Sequence, residues 1–244
     1  DIEGIARFKD TNVFYVAGSH SLKRTLLEPN ATKEQNLAAL EQIVFEPSRF
    51  HIYRLEMDLR TLKPISKRGI GLYRLLSLNP VLKRFTQIPS KENGVDIEAI
   101  AVKGDEGDKL HLGFRGPVLR ENLVPIMILD FNKPEDYKLR YLDLDGLGIR
   151  ELVKVKGGFL IIAGPSGGER GEFLIYYWDG DDGVPDRGKT KSKLKLLGQL
   201  PTPRGAKAEG MTLLEETKEH YDVLVVYDGV VRGLPERFRI PKRK

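Results

Sequence analysis

An all-β fold of the propeller type is what this sequence predicts, and three observations lead there. One hairpin pattern recurs four times along the 244 residues. Each copy opens with an acidic residue in a short β-rich run, turns, and closes with a second apolar run ending in glycine and polar residues. The spacing of the later copies approaches the period of ~40–50 residues expected of four-stranded blades.

The copies are Asp1-Ile-Glu-Gly-Ile-Ala with Val13-Phe-Tyr-Val-Ala-Gly-Ser-His20, then Asp96-Ile-Glu-Ala-Ile-Ala-Val with Lys109-Leu-His-Leu-Gly-Phe-Arg-Gly-Pro117. Ile149-Arg-Glu-Leu-Val-Lys-Val with Gly158-Phe-Leu-Ile-Ile-Ala-Gly-Pro-Ser166 follows, and Ala208-Glu-Gly-Met-Thr-Leu-Leu with Asp222-Val-Leu-Val-Val-Tyr-Asp-Gly229 is the last. Turn residues separate the two runs of a copy at Lys9 to Asn12, Gly104 to Asp108 and Gly157-Gly158. Taking the glutamate of each opening as landmark gives Glu3, Glu98, Glu151 and Glu209, at intervals of 95, 53 and 58 residues. Blade motifs therefore start near 1, 96, 149 and 208.

The long first interval calls for an insertion. Leu37, Leu40 and Val44 have helical spacing, with Asn30 or Thr32 as N-cap, so a helix is expected over about 32–45. Phe50–Met57 and Gly71–Leu76 would then supply the outer strands of the first blade, a hidden degenerate blade being the other way to fill the interval. Outer strands for the second copy are Val124–Leu129 and Leu139–Leu142, and for the third Gly171–Trp178 and Lys193–Leu197. The fourth has only Arg237–Ile240 left, which leaves room for a complete ring of five or six blades.

Composition narrows the function classes. Hydrophobic residues at 40% and charged residues at 31% are ordinary for a globular protein. No apolar run approaches the ~18 residues of a membrane span. With no cysteine, disulfides, thiolate nucleophiles and cysteine-held metals are all excluded. The absence of cysteine suits the cytoplasm or the periplasm, and Asp1-Ile-Glu-Gly4 lacks the basic and apolar regions of a signal peptide. Net charge is +5, part of it in the run Arg187–Lys195 and in Arg237, Arg239, Lys242, Arg243 and Lys244. Neither cluster carries the interleaved aromatics of a single-strand platform, so a solvated loop and a frayed terminus are expected, not a nucleic-acid partner.

The repeat also defines a site. The start of one strand and the end of the next lie side by side in an antiparallel hairpin, and the first strand of each blade lines the channel. Glu3, Glu98, Glu151 and Glu209 should therefore meet Ser19-His20, Arg115, Ser166 and Asp228 at one mouth. Clustered carboxylates repel unless a positive charge lies between them. A bound Ca²⁺ held by Glu3, Glu98, Glu209 and Glu151 would serve, and so would Arg115, Arg150 or Lys207. His20 is placed to act as a general base, or as a hydrogen-bonded structural residue. His51, His111 and His220 have no ligand spacing for zinc. No G-x-S-x-G elbow occurs, and Gly164–Gly168 lacks the lysine of a nucleotide loop.

The same motifs, with Gly18-Ser-His-Ser21, Gly113-Phe-Arg-Gly-Pro117, Trp178-Asp-Gly180 and Ala208-Glu-Gly-Met-Thr, resemble bacterial proteins of domain-of-unknown-function family 3616. The openings are more loosely similar to phytase-like and esterase-like propellers. That wider resemblance implies acidic mouth residues able to bind Ca²⁺. Two functions are then expected in turn. One is a propeller that binds a small molecule, ion or protein partner through Ser19, Arg115, Ser166 and Asp228. The other is a metal-dependent ester hydrolase with His20 activating water and Arg115 binding the anionic group.

Overall fold

The computed structural model describes residues 2–103 and 108–242. Four antiparallel sheets stand as blades around a central channel. The first segment runs β1 (Ile2–Arg7), β2 (Val13–Gly18), β3 (Lys23–Arg24), α1 (Lys33–Glu41), β4 (Ile43–Val44), β5 (Ile52–Asp58), β6 (Lys63–Ile70) and α2 (Tyr73–Leu78). Blade 1 is β1-β2-β5-β6, while β3 and β4 form a separate two-stranded ladder. Blade 2 holds β7 (Asp96–Val102), β8 (Lys109–Gly116), β9 (Leu123–Asp130) and β10 (Lys133–Asp143). Blade 3 holds β11 (Gly148–Val155), β12 (Gly158–Gly164), β13 (Phe173–Trp178) and β14 (Leu194–Leu200). Blade 4 has three strands, β15 (Lys207–Glu216), β16 (His220–Asp228) and β17 (Glu236–Pro241).

Strand alternation explains how the blades pack. Successive side chains leave a strand on opposite faces, so an uninterrupted apolar strand can feed two interfaces. In β12, Phe159, Ile161 and Ala163 join the core shared with blades 1 and 2, while Leu160 and Ile162 join the core shared with blade 4. Blade 1 is apolar towards one neighbour only: Val13, Tyr15 and Ala17 of β2 are buried, and Phe14 and Val16 between them are half-exposed. Blade 4 behaves likewise, with Tyr221, Val223 and Val225 packed on blade 3 and Val226 exposed. Among the described residues no buried apolar cluster joins blade 4 back to blade 1.

The insertion helix forms where its capping signal lies. Thr32 is the N-cap and makes a reciprocal capping box with Gln35, which satisfies two otherwise orphaned amides. It spans Lys33–Glu41, shorter than the 32–45 expected because Val44 belongs to β4, and none of its residues is buried. Gly71–Leu76 is not an outer strand. Tyr73–Leu78 is helical and sends Leu76 into the core beside Leu72 and Leu82. The outer strand of blade 1 is Lys63–Ile70, almost wholly exposed and carrying Pro64, which an edge strand tolerates because one side needs no ladder bond. No strand lies between 71 and 95, so the first interval holds a helical connection and no further blade.

Of the predicted turn at Gly104 to Asp108, residues 104–107 lie outside the described residues. The basic terminus is ordered into β17: Arg237 and Arg239 both hold Asp222, and Lys242 pairs with Glu216 at 2.7 Å. Arg243 and Lys244 lie outside the described residues. No helix among the described residues is long and apolar enough to cross a membrane.

Trp178 is fully buried against Phe159 and His111 where blades 2 and 3 meet. Trp178→Ala is expected to lower stability by about 3–5 kcal/mol in urea unfolding. Leu62→Ala, on the surface, should stay within about 0.5 kcal/mol. Equal effects would contradict this placement of the core.

Candidate functional site

Each innermost strand carries a β-bulge near its start. The ladder passes from Ile2 to Gly4, from Ile97 to Ala99, from Ile149 to Glu151 and from Ala208 to Gly210. The extra residues are Glu3, Glu98, Arg150 and Glu209. A bulge leaves one residue outside the pairing and re-aims its side chain. The third landmark is therefore Arg150, one residue before the Glu151 that the repeat suggested. The slip has a chemical consequence, because three carboxylates meet a guanidinium where four carboxylates were expected.

Arg150 is sealed below the mouth. Its Nη1 donates to Glu98 Oε2 at 3.0 Å and to Glu209 Oε1 at 3.2 Å, and its Nη2 donates to the Pro165 carbonyl at 2.5 Å. Arg115, from the end of β8, donates through Nη1 to the other oxygen of Glu98 at 2.6 Å and through Nη2 to Asp96. Glu98 thus lies between two guanidiniums. Burial pushes Asp96 and Glu98 up and the arginines pull them down.

Above this floor opens a cavity of about 700 Å³, lined by Glu3, Asp96, Glu98, Arg115, Glu209 and Asp228. Glu3 makes no hydrogen bond or ion pair among the described residues. Burial, then the neighbouring Asp96 and Glu98, lift it from the ordinary 4.5 to about 7. Glu209 is raised by burial and by Glu98, and its only ion pair among the described residues is the one to Arg150. Asp228 stands exposed at the rim.

Other predicted members go elsewhere. His20 is buried and does not line the cavity; its Nδ1 lies 2.9 Å from the Gly18 carbonyl and its ring meets the Phe50 edge. Burial lowers it to about 4, so it stays neutral in water near pH 7. Ser19 is buried and accepts from Ser21 at 2.9 Å, and Ser21 is the residue that reaches the cavity wall. Gly18 is required there because a Cβ would come within 2.3 Å of the Arg49 carbonyl. Ser166 sits on the turn after β12, outside the cavity lining.

Glu151 lines the channel below the mouth with Ala6, Val153 and Met211, and accepts from the Leu152 amide at 2.8 Å. Burial raises it to about 8.

Arg115 and Arg150 are the cations paired with Glu98 and Glu209, and Glu151 also lines a smaller cavity with Glu3 and Glu209. Among the described residues no group of three His, Asp or Glu side chains is placed to hold a metal. The contributions that sequence reasoning missed are Asp96 and the strap from β3 to β4. The recurrent Asp-Ile-Glu was the signal for Asp96.

Compared with known families, residues 1–237 match the profile of DUF3616, described as a protein of unknown function. No curated protein matches the chain.

Removing Arg150 leaves Glu98 and Glu209 without a shared countercharge. Arg150→Met is expected to cost about 3–5 kcal/mol, read by urea unfolding, and Glu98→Gln added to it should recover part of the loss. An equal cost in both backgrounds would show that the pair is not coupled.

Glu3 gives a second test. Its folded form keeps a proton between pH 4.5 and about 7 that the unfolded chain has released. The native state binds more protons there, so Glu3 lowers stability as pH rises through that window. Glu3→Gln should match the parent at pH 4 and exceed it by ~1–2 kcal/mol at pH 8, allowing for partial solvent screening. Thermal unfolding at the two pH values reads the difference.

Proposed function

The chain belongs to the DUF3616 family, which brings no activity with it, and we propose from the site that it is a binding propeller whose mouth takes the cationic group of a small ligand. The observation that carries this reading is Glu3, a half-buried carboxylate on the cavity wall that has no hydrogen bond or ion pair among the described residues. The wall also carries Lys23, Arg24, Arg49, Lys91 and Arg115, but Lys23 and Arg49 are paired with Glu46, Arg24 with Glu92, and Arg115 with Asp96 and Glu98, while Lys91 and Asp228 are exposed. An unpaired carboxylate held partly out of water beside other carboxylates is relieved by an incoming cation. The cavity volume also lies in the range of small-molecule sites. An organic ammonium suits the geometry better than a bare metal ion, since it accepts one or two carboxylates without a closed ligand shell.

A second reading is ester hydrolysis, in line with the looser likeness to esterase-like propellers. Its support is that Glu3, close to neutrality and beside Arg115, has the pKa a general base needs. His20 would have no part in it, being buried away from the cavity.

Titration of the full chain with ethylamine, calcium chloride and phenyl phosphate, followed by NMR shifts, separates these. Ethylamine should bind, about tenfold more weakly at pH 6 than at pH 8, because a protonated Glu3 has lost its charge. Glu3→Gln should abolish that pH dependence. Preference for phenyl phosphate would overturn the cationic reading, and turnover of phenyl acetate lost in Glu3→Gln would establish the hydrolytic one.

A further inference from the structure

The same cavity has a second wall that the charged floor does not explain. Between β3 and β4 the chain leaves blade 1 and crosses the mouth as a strap that includes α1. Arg24 pins it, donating to Glu92 through Nε at 2.5 Å and Nη2 at 2.8 Å and to the Leu40 carbonyl through Nη1. The Thr25 amide donates to the Gln42 carbonyl at 3.1 Å, which ties the two ends together. The strap therefore has a defined shape over the mouth.

Of its residues that line the cavity, Lys23, Arg24 and Thr25 are polar, with Lys23 paired to Glu46 and Arg24 to Glu92, and the other three are apolar. Leu26, Leu27 and Leu40 line the cavity together with the carboxylates, yet they are 75%, 51% and 44% exposed. Ile2, at the start of β1, lines it as well and is 68% exposed. Scattered exposed leucines need no explanation, but large apolar residues gathered on one wall of a concave site do. None of the four belongs to a buried core cluster. Apolar lining with a few convergent polar groups is the composition of a small-molecule site.

We propose that the mouth selects amphipathic ammonium ligands, with the charged head at Glu3, Glu209 and Asp228 and the apolar body against Leu26, Leu27 and Leu40. This rests on the cationic reading of the mouth and adds to it the chemical class of the ligand. Purely polar diamines and polyamines are disfavoured, because their second charge would be buried against leucine. Simple alkyl carboxylates are disfavoured by the carboxylate floor.

The test is a homologous series, ethylamine, butylamine and hexylamine, titrated into the full chain with hexanol and hexanoate as controls. Each added CH₂ should tighten binding by about threefold to fourfold. In Leu26→Ser/Leu27→Ser/Leu40→Ser the dependence on chain length should flatten while ethylamine binds as before. The substituted positions are exposed, and Trp178 fluorescence checks that the variant is folded. If ethylamine binds and hexylamine binds no tighter in the parent protein, the apolar wall plays no part and the proposal falls while the cationic reading stands. If hexanol or hexanoate matches hexylamine, or no amine binds, both fall together.

Discussion

A guanidinium shut away from water and shared by carboxylates from two other blades is the constraint on which this molecule is arranged. Arg150 comes from blade 3, Glu98 from blade 2 and Glu209 from blade 4. Ions in a low-dielectric interior must be paired, because each loses several kcal/mol of hydration that only close partners offset. The three strands are thereby committed to one mutual placement. Such a network adds little net stability compared with an apolar core. Its effect is positional, and the mouth takes its geometry from it.

The bulges make that placement available. A regular strand would send alternate side chains into the blade interfaces, where the apolar cores of β8 and β12 leave no room for charge. One extra residue per innermost strand takes a single side chain out of the alternation and delivers it to the channel. Glu98 and Arg150 are thus delivered from blades packed on both faces, and Glu3 and Glu209 from blades packed on one neighbour only. The strap above the mouth is built from surface turns, a capped helix and one anchoring arginine.

Much of this was legible in the amino-acid order. Four hairpins, most outer strands and the insertion helix follow from period-two runs, turn residues, helical spacing and an N-cap candidate at Thr32. The convergence of Glu3, Glu98, Glu209, Arg115 and Asp228 on one cavity followed from applying hairpin geometry to the repeat. The failures are local and physical. Gly71–Leu76 reads equally well as strand or helix, because a short apolar run has no distinguishing period. Lys63–Ile70 was passed over because an exposed edge strand has no apolar face to announce it.

The third landmark shows where the boundary lies. Arg150-Glu151 contains both residues, and nothing in the order of letters says which of two neighbours falls in the bulge. A slip of one residue reverses the sign of the charge delivered to the channel. His20 is similar, since the hairpin end places it near the mouth and the packing of Phe50 and the turn Pro47–Arg49 holds it inward. Sequence by itself determined which segments are blades and which residue types gather where they meet, because hydrophobic alternation is a local property. Tertiary structure decided which side chains reach the cavity and what charge they leave there, because register and burial depend on neighbours distant along the chain.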